Sequence, residues 1–176
     1  MSCGTTFDKL EKTRGMKKKL EIFPLKVQES LILLYITMTE KDNETLKRTF
    51  ELLEDNNIMI HFLTEGPSEG GNRNVSLALH RDDFEKLTNH SGKFQLFSKI
   101  GNIRITKEVG LIRILGAHFD IRPGIASILF NAMRESGIEI LANSTTITSS
   151  LILVREKHLD LALRAIQSVF KSPGAE

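Results

Sequence analysis

The chain has 176 residues and a mass of 19.8 kDa, with 40% hydrophobic and 26% charged residues. That content supports a packed core in one medium or two small domains and excludes wholesale disorder. The net charge of +2 excludes a general attraction to nucleic acid. The excess sits at the N-terminus: Lys9, Lys12, Arg14, Lys17, Lys18 and Lys19 stand against Asp8 and Glu11, and the remainder carries −2. It reads as a solvated arm or strand rather than a basic face. Cys3 is the only cysteine, so neither an internal disulfide nor a cysteine-based zinc site is expected. No apolar run approaches the roughly 18 residues that span a bilayer, and the N-terminus lacks a signal-peptide core. These features predict a cytoplasmic protein that binds neither membrane nor nucleic acid.

Along the chain, residues 31–38 form an apolar run, LILLYITM, dense enough in branched residues for a buried strand. A polar loop leads into a helical pattern with Leu46, Phe50 and Leu53 on one face, and Ile58, Ile60 and Phe62 then alternate as a strand. The glycine-rich segment 66–71 reads as a hairpin loop, followed by alternating Val75, Leu77 and Leu79 and by the acid-bearing helix start RDDFEKL. Residues 94–105 form a further strand candidate. The pattern then repeats. With a constant shift of 80 and no gap, residues 31–63 fall on 111–143: Leu31 on Leu111, Phe50 on Phe130, Leu53 on Met133, Ile58 on Ile138 and Ile60 on Ile140.

In the second half a helix carrying Ile125, Leu129, Ala132 and Met133 starts behind Pro123, and Gly137 stands where a left-handed cap would close it. A strand around Leu151 and Leu153 follows, then a last helix with Leu159, Ala162, Leu163, Ile166 and Phe170 on one face. Each half reads β-α-β-β-α, one strand short of a ferredoxin-like βαββαβ unit. Residues 94–105 would complete the first unit, and residues 13–23 the second. The predicted fold is α+β: two such units, the first nested in the second, with antiparallel sheets and helices on one face.

Catalytic signals are absent. There is no GxxxxGK[ST], no GxGxxG after a strand and no GxSxG. His61, His80, His90, His118 and His158 show no HxH or HxxxH spacing. No catalytic residue, metal ligand or cofactor is predicted.

The second half resembles the second regulatory ACT module of aspartate kinases. The resemblance rests on the apolar strand ending at Gly116, Arg122-Pro123-Gly124 before a helix, Gly137-Ile138 opening a strand, the triplet Ser144-Thr145-Thr146 and the final helix to Phe170. The first half resembles the first module more weakly, and Arg14-Gly15-Met16 resembles the strand that leaves the kinase domain, so the resemblance covers about residues 12–171. It implies residues 1–11 as a flexible start, 12–27 as a strand completing the second module, 28–106 as the first module, 107–171 as the second and 172–176 as a tail. It also implies a non-catalytic regulatory part, a homodimer that senses an aspartate-family amino acid, lysine or threonine, at module interfaces. A kinase catalytic subunit would be a further partner, because no counterpart of the Lys-Phe-Gly-Gly-Thr phosphate motif is found in this sequence.

The residues implied in ligand binding are His118, Phe119, Asp120, Arg122, Pro123, Gly124, Ile125, Asn143, Ser144, Thr145 and Thr146, with Thr39, Asp42, Asn43 and Glu44 at the first repeat. Amides after Arg122 would hold a carboxylate at the helix start, while Asp120 and the triplet's hydroxyls would receive an ammonium. The first repeat departs from the family: Asn43-Glu44 replaces Pro-Gly, and Lys41 stands where the family carries Asp. Those departures favour the alternative reading, a ligand-free tandem ACT protein that pairs with itself or with an enzyme.

Overall fold

The computed structural model describes residues 19–39, 43–89, 102–116 and 123–172. Its strands are β1 (Leu20–Glu21), β2 (Lys26–Met38), β3 (Ile60–Pro67), β4 (Arg73–His80), β5 (Asn102–Leu115), β6 (Ile140–Thr145), β7 (Ser149–Arg155) and β8 (Phe170–Lys171). Its helices are α1 (Asn43–Asp55), α2 (Arg81–Asn89), α3 (Ile125–Glu135) and α4 (Leu159–Val169). Six strands form one antiparallel sheet in the order β3-β4-β2-β5-β7-β6, and β1 pairs with β8 in parallel beside it. Read from either edge to the centre, this is the ferredoxin-like strand order twice over. The predicted α+β class and the two-unit architecture are both present.

The two units are fused by their central strands. The last eight residues of β2 pair with β4 in the first half, while its opening residues Lys26, Val27 and Gln28 pair with Arg113, Ile112 and Leu111 of β5. Further along, Leu33 pairs with Thr106 and Leu34 with Ile105. The shift of 80 carries the Lys26–Arg113 pair onto the Thr106–Leu33 pair, so the repeat is a two-fold axis through the sheet. The ladder slips near that axis, where Ser30 (φ 58°) and Glu108 (φ 56°) take the left-handed backbone. The position beside the second half of β5 is therefore filled by residues 26–28, with Phe23 at its far end against Leu115. Of the expected segment 13–23, Leu20–Glu21 pair with β8, Ile22 donates to the Lys171 carbonyl and Phe23 donates to that of Leu115. Residues 12–18 and 94–101 lie outside the described residues.

The helix ends repeat as well. In α1 the Ile58 and Asn57 amides donate to the carbonyls of Leu53 and Glu54; after α3, Ile138 and Gly137 donate to Met133 and Arg134. Each is a Schellman closure with a left-handed residue, Asn57 (φ 53°) or Gly137 (φ 70°), and an apolar contact behind it. A bulge follows in each half, between Ile60 and Phe62 and between Ile140 and Ala142. Two expected details differ. α3 starts at Ile125 with Gly124 as its N-cap, leaving Pro123 in the preceding turn. α4 stops at Val169, and Phe170 is extended (φ −115°, ψ 154°) because it pairs with Leu20.

All four helices lie on one face. α1 and α2 cover Ile32, Leu34, Ile36, Leu77 and Leu79; α3 and α4 cover Ile112, Ile114, Ile152 and Val154. The alternate residues Leu31, Leu33, Phe62, Ala78, Val109, Leu111 and Leu153 are also buried, on the face without helices. Curling of the sheet onto itself accounts for this. The Tyr35 hydroxyl of β2 donates to the Leu141 carbonyl of β6, although two strands separate them in the ladder. A flat sheet would keep β2 and β6 about 14 Å apart.

Candidate functional site

The end of the sheet where β5 stops gathers the described residues of the expected second-half pocket. Gly116 turns the chain out of β5 with φ 77°, and its amide donates to the Thr148 carbonyl at 2.8 Å. A Cβ there would lie 2.7 Å from the Phe23 ring, which would have to shift, and the left-handed φ adds backbone strain for any other residue. α3 begins at this same end: it leads through Gly137 into β6, whose first residue Ile140 pairs with Val154 at the opposite end.

α3 starts without a side-chain cap among the described residues. Gly124 is left-handed (φ 92°), and its carbonyl accepts the Ile128 amide at 3.0 Å. No acidic residue occupies the first turn. The positive end of the helix dipole lies beside exposed Pro123 and Gly124, while Ile125 anchors the turn in the core. No described residue lies within 4 Å of the position of a Gly124 Cβ, and its φ of 92° is what favours glycine there.

The Ser144-Thr145-Thr146 triplet divides. Thr145 pairs with Ser150 and Asn143 with Ile152, which places both on the helix-bearing face; Ser144 pairs with Leu151 and faces the other way. The Thr145 and Ser150 hydroxyls lie 3.0 Å apart, and Ser150 is fully buried. The Thr146 and Ser149 hydroxyls lie 2.8 Å apart, and the Ser149 amide donates back to Thr146 Oγ1 at 3.2 Å. Thr146 thus holds the β6–β7 turn, and Thr145 keeps its exposed flank toward the α3 end. Ser149 and Ser150, partners of both threonines, were legible only as part of a Ser/Thr-rich stretch. His118, Phe119, Asp120 and Arg122 lie outside the described residues.

The first repeat is built differently at the matching place. Glu44 occupies the position of Gly124, and its carboxylate pairs with Arg48 at 3.4 Å. The α1 start therefore carries its own anion. Thr39 is exposed at the end of β2, Asn43 opens α1, and Asp42 lies outside the described residues. No group of three His, Cys, Asp or Glu residues is arranged to hold a metal, and no helix is long and apolar enough to cross a membrane, among the described residues.

Two ferredoxin-like units sharing one sheet define a tandem ACT-type fold. Residues 104–168 match the ACT domain family. The chain is 26% identical to the aspartokinase of Corynebacterium glutamicum over 141 residues, 79% of this chain and 33% of that protein. The regulatory subunit of aspartate kinase from Thermus flavus superposes with a TM-score of 0.70 at 14% identity, covering 85% of this chain and 99% of that one. E. coli aspartokinase III in complex with lysine and aspartate superposes with a TM-score of 0.63 at 14% identity, covering 89% and 35%. The chain carries a match to the ACT domain at residues 104–168, and its fold is similar to that of the regulatory part of aspartate kinases. It spans about a third of the length of the curated relatives it matches.

Proposed function

We propose that the chain is an amino-acid sensor of aspartate-kinase type, with the α3 start as its carboxylate site and with lysine or threonine as the effector. The observation that carries this reading is the contrast between the two repeats. Among the described residues α3 has no acidic group in its first turn behind a left-handed glycine, whereas α1 carries Glu44 there. An amino-acid carboxylate at α3 would do what Glu44 does at α1, and Thr145 with neighbouring carbonyls would face the ammonium. The complex of E. coli aspartokinase III with lysine and aspartate makes lysine the first ligand to test. The active unit in this reading is a dimer, because β3 and β6 are sheet edges with no strand partner beyond them among the described residues.

The decisive variant is Ser127→Glu. Ser127 is exposed in the first turn of α3, so a carboxylate there favours the helix dipole by about 0.3–1 kcal/mol. It should raise stability while removing calorimetric binding of lysine and threonine. Thr145→Val should weaken binding about 10-fold or more, the cost of about 1.5–3 kcal/mol for a lost charged hydrogen bond. Unchanged affinity in both variants would place the ligand elsewhere. If none of the twenty amino acids binds wild type while sedimentation gives a dimer, the ligand-free pairing module is the correct reading.

A further inference from the structure

The two-fold repeat makes two quasi-equivalent places on the inner face of the sheet, one at each curled edge, and they are filled differently. On one side β6 curls over β2: Leu31 and Leu33 are fully buried, Leu141 packs beside them, and Tyr35 closes the gap with Arg104 4.6 Å from its ring centre. On the other side β3 curls toward β5. The residues that the shift of 80 sets against Leu141, Leu33 and Leu31 are His61, Arg113 and Leu111. Here a cavity of about 190 Å³ remains, lined by Lys26, Val27, Gln28, His61, Leu111 and Arg113. At about 30 Å³ of liquid per water, it has room for about six waters.

We propose that this cavity is a binding site for a small oxyanion, the carboxylate or phosphate group of a compact metabolite held between Lys26 and Arg113 with His61 as a third donor. Packing alone gives no reason for the polar version, because the same backbone closes with leucines on the other side. Neither cation has an acidic partner among the described residues, and no Asp or Glu lines the cavity. Leu111, 2% exposed, supplies a floor that strengthens charge interactions above it. His61 comes from the first repeat and Arg113 from the second, so a bound anion would tie the two curled edges together. This site is separate from the α3 start and stands whether or not an amino acid binds there.

Protonation would be linked to binding. Burial holds the His61 imidazole below its ordinary range, His80 and Arg113 push in the same direction, and Asp83 opposes them. Asp83 is itself paired with Lys86 at 2.7 Å. An anion between His61, Lys26 and Arg113 would favour the imidazolium, so binding takes up a proton.

The test measures thermal midpoints and calorimetric binding of the full chain with sodium sulfate and sodium malonate against sodium chloride at equal ionic strength. Sulfate keeps its charge across this pH range and represents the phosphate geometry; malonate represents dicarboxylates. One or both should stabilise wild type beyond chloride, and which one acts distinguishes the two sources. The double variant His61→Leu/Arg113→Leu copies the leucines of the other repeat and should fold while losing the anion shift. Lys26→Met, on the exposed rim, should weaken binding at least 10-fold and serves if the double variant fails to fold. Sulfate affinity, or malonate affinity corrected for malonate's own protonation, should rise from pH 8 to pH 6 in wild type and lose that slope in His61→Leu. No stabilisation beyond chloride, or the same stabilisation in Lys26→Met as in wild type, would overturn the proposal.

Discussion

Asn57 and Gly137 close their helices with the same two hydrogen bonds in the same left-handed conformation, yet only one is glycine. Nothing lies within 4 Å of a Gly137 Cβ, so Gly137→Ala tests backbone strain alone. It should cost about 1–2 kcal/mol in urea unfolding, while Asn57→Gly should be neutral or slightly stabilising. Gly110 is the opposite case. Its φ is unremarkable, but a Cβ would lie 2.5–2.6 Å from the buried Leu159 side chain. Gly110→Ala should cost about 1–3 kcal/mol by overpacking, and adding Leu159→Ala should recover part of it, so that the two losses do not add. His61 makes stability pH-dependent. Its folded-state pKa is depressed, so below about 6.5 the unfolded chain binds the proton first and stability falls with pH. Chemical unfolding of His61→Leu between pH 7 and 5.5 should show a shallower fall than wild type; an identical slope would assign the effect to other groups.

At the scale of elements, the repeated strand-helix-strand order was legible because each half must bury matching apolar faces, and matching faces recur at a constant shift. The long β2 and β5 were not. Alternating side chains carry no mark of where one unit's ladder ends and the next begins, and the slip rests on Ser30 and Glu108, neither of which is a usual left-handed residue. Phe170 sits four residues after Ile166 and continues the helical stripe in sequence. Its extended backbone reflects a partner 150 positions away, Leu20, which periodicity does not report. The candidate site was legible at Gly124, where glycine behind proline signals a turn with an open helix start. The division of Ser144 from Thr145 follows from strand alternation once the strand is placed, and the pairing of Lys26, His61 and Arg113 requires the curl. The Glu156 carboxylate accepts the Ser30 amide at 3.3 Å and steadies the slip. Glu156→Ala should therefore speed amide exchange at Ser30 and its neighbours more than at α1 or α3.

Across the whole molecule, the shared strands leave no boundary at which one unit could melt alone. Urea unfolding should give one transition, with the same midpoint by circular dichroism and by Tyr35 fluorescence; two separated midpoints would show that the units are independent. Ile22, 3% exposed, lies in the second unit's core although it precedes the first unit in sequence. Ile22→Ala should cost about 2–5 kcal/mol and lower that single midpoint.

The parallel pairing of β1 with β8 has a topological consequence. Leu20 and Phe170 are neighbours across one strand spacing, about 4.8 Å, so the path of the chain is nearly a closed ring. Because the two strands run the same way, a linker from residue 172 must turn back along the pair to reach residue 19 and seal it, and new ends could open in the exposed β3–β4 turn, where Gly70 and Gly71 are already left-handed. Such a circular permutant should fold with every strand pair retained. In it the first unit would be the interrupted one and the second continuous, so the enclosure of one half by the other is a property of the cut and not of the packing.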